Sequence, residues 1–500
     1  MKTAAPDRLA SDAIVAAVLD RATADPDAVA LIDGSDALSY RQLSSCVRAV
    51  AVELRERRIR TGDRVLVEAS STPGFVVCYL AVHLTRGVAV PIDMVMPKSR
   101  REFISNRVAA AFVLSGQTQQ DMLVRARNAD ADPTAIDKVA LEPPAGDSVA
   151  DIIFTSGTTG NPKGVILSHR NLAAAAGHIN AFVGSGRGDV EVLPLPLGHS
   201  FGLGSLRCLL SVGATVVLVG GFSFPGEIYS ALEQHRASGF RCVPAGLTMM
   251  LRFAPDRLAD CASHIRYVEL GSAPMPLEDK RKLMELLPHS RICMHYGLTE
   301  ATRSVYIEFH ADAEKLHSIG RPAEGVQVRI ADSEGQAVAR GEPGAIQIRG
   351  PHVTPGYWQE AELTRQALAG DWLRTGDVGH FDDQGYLYLH GRNDDMINVG
   401  GRKVSPLEVE EALRTHPCVL DCGCSGIADP AGVSGEAVGV LVLLREGEGP
   451  TVRELRDHLR ARLEPYKLPV KWVFSGGIPR TANGKIQRHV LRQQLEAAVA

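Results

Sequence analysis

The stretch Asp151-Ile-Ile-Phe-Thr-Ser-Gly-Thr-Thr-Gly-Asn-Pro-Lys-Gly164 decides how the chain is read. An apolar run, Ile152–Thr155, reads as a buried strand. It leads into Thr155–Gly164, ten residues holding three glycines, three threonines, a serine and Lys163. Glycines let backbone N–H groups approach phosphate oxygens. Hydroxyls add donors, and the lysine adds a mobile positive charge. Lys163 stands six residues after Gly157, as a Walker A loop asks. However, Pro162 removes an N–H where that motif has glycine, and Gly164 replaces the Ser/Thr that would hold Mg²⁺. Val165-Ile166-Leu167 then reads as a second strand rather than the start of a helix. The segment is a phosphate loop of another kind, on a strand–loop–strand. A plain glycine-rich hairpin would not need four hydroxyls and a lysine.

Working outward, short apolar runs alternate with helical patterns from about 28 to 300. Strands are expected at Arg64–Glu68, Val88–Ile92, Ala111–Leu114, Ala214–Val219, Arg241–Val243, Arg266–Leu270 and Arg291–Met294. A helix is expected over Tyr40–Arg57 with Ser39 as its N-cap. Phe75–Leu84 is too short to span a bilayer and reads as a buried helix. Such alternation predicts an α/β fold, a large N-terminal domain of layered, largely parallel sheets. After about 303 the segments shorten, with turns at Asp332-Ser-Glu-Gly335 and Asp382-Asp-Gln-Gly385, which predicts a small β-rich subdomain to 391. Arg392-Asn393-Asp394 is polar and suits a hinge. Residues 395–500 then read as a small mobile α+β C-terminal domain.

With 500 residues, two or more domains are expected. The balance of 54 basic to 58 acidic residues, −4 overall, gives no field to gather nucleic acid or an anionic membrane. Asp7 and Asp12 interrupt the start of the chain where a secretory leader would be apolar, so a cytoplasmic protein is expected. Nine cysteines without regular spacing suit reduced thiols. His416, Cys418, Cys422 and Cys424 could be a metal set, but a strand whose cysteines act as small hydrophobes explains them more simply.

Three further segments carry chemistry. In His295-Tyr-Gly-Leu-Thr-Glu-Ala301 a carboxylate beside a hydroxyl could meet Mg²⁺ and phosphate; a core tyrosine and a capping Thr-Glu pair would look similar. In Trp372-Leu-Arg-Thr-Gly-Asp377, followed by Gly391-Arg392-Asn-Asp-Asp395, an aspartate could accept two ribose hydroxyls or simply sit in a turn. In Pro479-Arg-Thr-Ala-Asn-Gly-Lys485-Ile-Gln-Arg488 the lysine alone would be ordinary surface.

Together these segments resemble the adenylate-forming superfamily of acyl-CoA synthetases, peptide-synthetase adenylation domains and luciferases. The stretches are TSGTTGNPKG, YGLTEA, RTGD, GRNDDMINVGGRKVSPLEVEEAL and PRTANGKIQR, spread over 155–488. TGDRV and RGVAVPID are compatible as well. The resemblance implies that a carboxylate attacks the α-phosphate of Mg-ATP to give an acyl-adenylate and pyrophosphate. It implies that Thr155, Ser156, Gly157, Thr158, Thr159 and Lys163 hold the β- and γ-phosphates. Thr299 would contact the α-phosphate and Glu300 would hold Mg²⁺. Tyr296 would stack on adenine, with Gly297 beside it and Gly271, Ser272 and Ala273 lining the ring. Asp377 would take the ribose, supported by Arg392, and Lys485 would bridge carboxylate and phosphate. Asp394 would be the hinge about which the C-terminal domain turns to admit a thiol past Gly400 and Gly401.

The same resemblance sets the acyl pocket between roughly 199 and 303, on His199, Phe201, Gly202, Phe222, Val243 and Gly246. Ser223 or Phe224 stands where amino-acid-activating relatives place an aspartate, which favours an aryl or acyl carboxylate. Glu269 and Arg303 are charges near this region without a role; substrate contacts and structural ion pairs are both open. No carrier domain is expected after Lys485, and no insertion after Asp377 or Arg392 suggests an enzyme that avoids coenzyme A. Coenzyme A is therefore the expected acceptor, with the phosphopantetheine of a carrier protein, or an amine, as the alternative.

Two other classes compete. Gly198-His199-Ser200-Phe201-Gly202 matches the nucleophile elbow of serine hydrolases, but Pro194 and Pro196 interrupt the strand that motif needs. A nucleotide-binding protein without catalysis would not need Lys485, Glu300 and Asp377 together.

Overall fold

The computed structural model describes residues 12–129, 141–155, 162–430, 434–445, 449–481 and 484–498. Two sheets dominate the N-terminal part. A nine-stranded sheet runs, in spatial order, Arg321–Pro322, Ala301–Glu308, Arg291–Leu298, Tyr267–Leu270, Gly239–Cys242, Val190–Leu193, Thr215–Leu218, Val29–Asp33 and Asp36–Ser39. Its central strands are parallel. A six-stranded sheet runs Gly356–Tyr357, Lys163–Ser168, Val149–Thr155, Val88–Asp93, Arg64–Ala69 and Phe112–Leu114.

Helices Tyr40–Glu56, Pro73–Leu84, His169–Val183 and Ser200–Val212 share one apolar core with residues of both sheets. All twelve residues of Pro73–Leu84 are buried, as a helix with no polar face must be when layers cover it on every side. Tyr40–Glu56 starts in a reciprocal capping box, Ser39 accepting from the Gln42 N–H and Gln42 accepting from the Ser39 N–H.

The expected strands through Met294 form, each starting within three residues of its predicted position. One difference lies at the YGLTEA segment. Arg291–Leu298 continues through Tyr296 and folds back on Ala301–Glu308 as an antiparallel pair. This brings residues beyond 303 into the nine-stranded sheet; the five-stranded sheet is built from Gln327–Ala331, Gly344–Arg349, Leu368–Ala369, Trp372–Phe381 and Leu387–Arg392. Asp332 and Asp382 each open the turn expected of them, accepting from Gly335 N and Gly385 N.

The C-terminal part has its own core. Val419–Ala428, Glu436–Leu444 and Lys471–Phe474 form a three-stranded sheet. Pro406–Arg414 and Val452–Arg460 pack on one face through Val409, Leu413, Leu455 and Leu459, and Arg488–Ala497 packs on the other through Leu491 and Leu495. Cys422 and Cys424 belong to this core, and the Cys422 thiol donates to the Glu410 carbonyl at 3.3 Å. Burial pushes the Cys422 thiol up to about 12, so both behave as small hydrophobes. Among the described residues no group of three His, Cys, Asp or Glu side chains is placed to hold a metal ion, and no helix is long and apolar enough to cross a membrane.

Candidate active site

The strand–loop–strand forms at its two ends. Val149–Thr155 pairs antiparallel with Lys163–Ser168, and Thr155 faces Lys163 across the opening. Ser156, Gly157, Thr158 and Thr159 lie outside the described residues. Gly164 must stay small, because a Cβ there would stand 2.9 Å from Ile152 Cγ2 and 3.3 Å from Trp358 Cβ.

The turn after Arg291–Leu298 carries Thr299 and Glu300. Gly297 makes this turn possible: a Cβ there would lie 2.2 Å from the Arg303 nitrogen. The Thr299 hydroxyl donates to Ser200 Oγ at 3.2 Å, at the first turn of Ser200–Val212. Ser200 thus sits on a helix start facing Thr299, not on the strand-to-helix elbow of a hydrolase. Glu300 Oε1 accepts from the Tyr357 phenol at 2.8 Å, which leaves the carboxylate with lone pairs to spare.

Asp377 is buried and bonded from two sides. The Tyr296 phenol donates to Oδ2, and Arg392 Nε lies 3.4 Å from Oδ1. Asp377 and Arg392 are cross-strand partners, so the sheet register fixes their approach. Gly376 adopts φ +77°, and a Cβ there would stand 2.9 Å from Arg392 Nη2, so only glycine lets the guanidinium lie over the turn. Burial raises the Asp377 carboxyl, and Arg392, Tyr296 and Lys485 pull it back down.

Lys485 reaches this group from the C-terminal part. Its loop is closed by Thr481 N–H donating to the Lys485 carbonyl at 2.8 Å, and a Cβ on Gly484 would touch the Ala245 Cβ at 3.2 Å. The loop tip therefore docks on the helix Pro244–Phe253. Burial lowers the Lys485 ammonium, and the carboxylates of Asp377 and Glu300 oppose that shift.

The residues expected at the acyl end fall into two contacting groups. Phe222 covers Gly246, where a Cβ would stand 2.6 Å from its ring. Phe201 meets the His295 ring edge-on, with centroids 4.6 Å apart, and His295 covers Gly271. Gly202 is pressed against the Pro196 carbonyl, 2.3 Å from where a Cβ would be. His199 immediately precedes Ser200–Val212 without a side-chain capping bond, its Nε2 3.4 Å from Asp93 Oδ2, and Val243 precedes Pro244–Phe253. Ser272 holds φ +75°, unusual for a residue with a side chain, in the turn after Tyr267–Leu270. Asp394 lies in the single turn Asn393–Asp395, and Asp395 pairs with Arg488 at 3.3 Å. Gly400 and Gly401 form the turn of the hairpin Ile397–Val399/Arg402–Val404, at φ +57° and +85°.

Glu269 and Arg303 are fully buried partners of one another. Arg303 Nε donates to Glu269 Oε1 at 2.7 Å, and Arg241 bridges Glu269 and Glu191. Sequence reading did not find Tyr357, the contact of Ser200 with Thr299, or the pairing of Arg241 with Glu191 and Glu269, all of which depend on contacts far along the chain.

A small C-terminal domain that brings a lysine loop towards the carboxylates of a layered α/β domain is the architecture of the adenylate-forming enzymes. Residues 18–358 match the AMP-binding enzyme family and residues 408–485 its C-terminal domain, so the chain belongs to the AMP-binding enzyme family and is an AMP-forming ligase. It is 32% identical to a feruloyl-CoA synthase of Amycolatopsis sp over 95% of this chain and 97% of that protein. It is 31% identical to a 2-succinylbenzoate–CoA ligase of Bacillus velezensis over 95% and 97%. Among solved structures, ATP-bound MatB from Rhodopseudomonas palustris superposes with a TM-score of 0.88, at 27% identity, over 97% of this chain and 99% of that one.

Proposed function

We propose that this enzyme joins a carboxylic acid to the α-phosphate of ATP and then passes the acyl group to the thiol of coenzyme A. In the first step a carboxylate oxygen bonds to the α-phosphorus, and the bond to the departing pyrophosphate breaks. In the second the sulfur bonds to the acyl carbon, AMP departs, and the thiol proton is lost to solvent. The chemical problem is the meeting of two anions while charge grows on the phosphoryl oxygens, which fixed positive donors solve.

The observation that carries this reading is the environment of Lys485, an ammonium in the field of Asp377 and Glu300 on a loop that docks against Ala245. An ammonium is a compact point charge able to sit between two oxyanions. Thr155, Ser156, Gly157, Thr158, Thr159 and Lys163 would hold the β- and γ-phosphates, and Thr299 the α-phosphate. Tyr296, Gly297 and Gly271–Ala273 would enclose adenine, and Asp377 with Arg392 would take the ribose. Mg²⁺ fits Glu300, which has one oxygen engaged by Tyr357 and suits an ion that takes one carboxylate and completes its shell with phosphate oxygens; bound there, it would neutralise phosphate charge. Asp394 is the hinge for the second step, about which residues 395–500 turn to bring Gly400 and Gly401 to the thiol's path.

Coenzyme A as acceptor is supported by the names of the two ligases aligned end to end with this chain. The test is ATP–pyrophosphate exchange across a panel of acids, followed by mass spectrometry with coenzyme A. Acid-dependent exchange and an acyl-CoA product are expected. Exchange without a thioester would move the acceptor to a carrier protein or an amine, and no exchange with any acid would overturn the reading.

A further inference from the structure

The hairpin Arg291–Leu298/Ala301–Glu308 turns at Thr299 and Glu300, with Leu298 facing Ala301. Glu300 thus stands at a turn tip, yet it is held at both ends. Its carbonyl accepts from the Thr354 N–H at 2.8 Å, and its Oε1 accepts from the Tyr357 phenol at 2.8 Å. Among the described residues no hydrogen bond or ion pair reaches its Oε2.

The five residues that supply both bonds also grip the phosphate-loop strand. Gly356 and Tyr357 pair antiparallel with Ile166 and Val165 of Lys163–Ser168. The Trp358 N–H donates to the Gly164 carbonyl at 2.8 Å, and Thr354 Oγ1 donates to the Ile166 carbonyl at 2.6 Å. Thr354–Trp358 is therefore a strap, fastened to Glu300 on one side and to the strand that begins at Lys163 on the other. Its own path is fixed as well. The Tyr357 N–H donates to Thr364 Oγ1 at 3.0 Å. Gly356, at φ +144°, has no room for a side chain, since a Cβ would stand 2.5 Å from Thr364 Cγ2. The phenol thus meets Glu300 from a backbone whose register is set by the phosphate-loop strand.

A hydrogen bond to one carboxylate oxygen has a chemical consequence. An ionised carboxylate offers two oxygens, and a cation can take one or both. With Oε1 engaged by the phenol, Oε2 is the oxygen with both lone pairs left for a metal. Mg²⁺ demands a near-octahedral shell and fills it with one or two carboxylates, phosphate oxygens and water; Ca²⁺ is larger and readily takes both oxygens of one carboxylate. The Tyr357 bond works against the two-oxygen mode and leaves the one-oxygen mode in place.

We propose that Tyr357 is a positioning residue that makes Glu300 a one-oxygen metal ligand, in register with the phosphate loop through the strap Thr354–Trp358, and that the site thereby selects Mg²⁺ over Ca²⁺. This rests on the adenylation reading above, in which Glu300 holds the metal. Hydrogen-bond partners of metal ligands set affinity by orienting them, and losing one costs about 10–100-fold.

The test uses the full chain with ATP, Mg²⁺ or Ca²⁺, and an acid that supports pyrophosphate exchange. Tyr357→Phe removes only the hydroxyl. It should raise the apparent KM for Mg²⁺ by about 10–100-fold at saturating ATP, while KM for the acid stays within about 3-fold of wild type. Wild-type exchange should be at least ~10-fold slower with Ca²⁺ than with Mg²⁺, and in the variant that contrast should shrink by about 10-fold. A second readout needs no turnover. With the acid omitted, ATP should raise the thermal midpoint more with Mg²⁺ than with Ca²⁺ in wild type, and equally with both in Tyr357→Phe. Circular dichroism confirms folding; should Tyr357→Phe fail to fold, the wild-type comparison of the two cations decides. A wild type indifferent to the cation overturns this proposal alone. So does a Tyr357→Phe variant whose Mg²⁺ dependence is unchanged, or whose KM values for Mg²⁺ and acid rise together with the cation contrast intact. Absence of exchange with every acid overturns the adenylation reading and this proposal with it.

Discussion

The Tyr296 phenol donates its hydrogen to Asp377, tying the strand Arg291–Leu298 of one sheet to Trp372–Phe381 of another. Two residues given separate tasks by sequence reading, one for adenine and one for ribose, form a single unit. A shift in either moves the other, which matters where a 1 Å displacement can change a rate by orders of magnitude.

Asp377 sets the acid side of nucleotide binding. Burial raises its carboxyl above the ordinary 3.8, with Arg392, Tyr296 and Lys485 opposing the rise. Only the ionised form can accept two ribose hydroxyls. KM for ATP should therefore climb as pH falls through this raised value. The folded value lies above the unfolded one, so this group's contribution to stability is fully present below the unfolded value and is lost as pH rises through the folded one. Binding and this contribution thus change in opposite directions across the same window. KM-against-pH profiles of the wild type and Asp377→Asn check this: the variant should start with a higher KM and lose the acid limb.

Arg241 is the keystone of the buried charges beneath the acyl pocket. Arg241→Met would leave Glu191 and Glu269 without their shared partner. Breaking such a pair from one side costs about 3–5 kcal/mol. Burial already raises Glu191 to about 7, and Arg241 is the largest influence holding it down. Because the folded value exceeds the unfolded one, the group's stabilisation is lost as pH rises through about 7. Without Arg241 that loss should deepen. Thermal midpoints of the variant should fall further below wild type at pH ~8.5 than at pH ~6, with the sign set by linkage.

Asp394 should separate the two half-reactions. It occupies a single turn between Leu387–Arg392 and the hairpin Ile397–Val399/Arg402–Val404. Asp394→Pro would fix φ near −65° in a residue that must change conformation. Pyrophosphate exchange should stay within about 3-fold of wild type, while thioester formation from supplied acyl-adenylate falls by roughly 10-fold or more, as expected of a hinge. Equal effects on both would remove Asp394 from that role.

Much of the fold was legible because local signals agreed. Ser39 and Gln42 specify a capping box, and Pro73–Leu84 has no polar face to expose. The strand–loop–strand at Thr155 and Lys163 followed from Val165-Ile166-Leu167. The antiparallel return at Leu298–Ala301 was not legible, because Gly297 enables it through a close approach to Arg303 that only the fold reveals. The same limit hid Tyr357, which reaches Glu300 across 57 residues. Glu269 and Arg303 looked like stray charges because both are neutralised by partners 34 residues apart in sequence.

The most direct measurement is the pair of half-reaction rates of Lys485→Ala. Burial lowers the Lys485 ammonium, yet Asp377 and Glu300 favour its charge, which is the setting of a donor that acts on developing negative charge. Removing one such donor costs about 10²–10³ in rate. The account predicts a loss of that size in acid-dependent pyrophosphate exchange, with thioester formation from supplied acyl-adenylate changed by less than about 10-fold. Equal losses in the two half-reactions, or unchanged exchange, would contradict it.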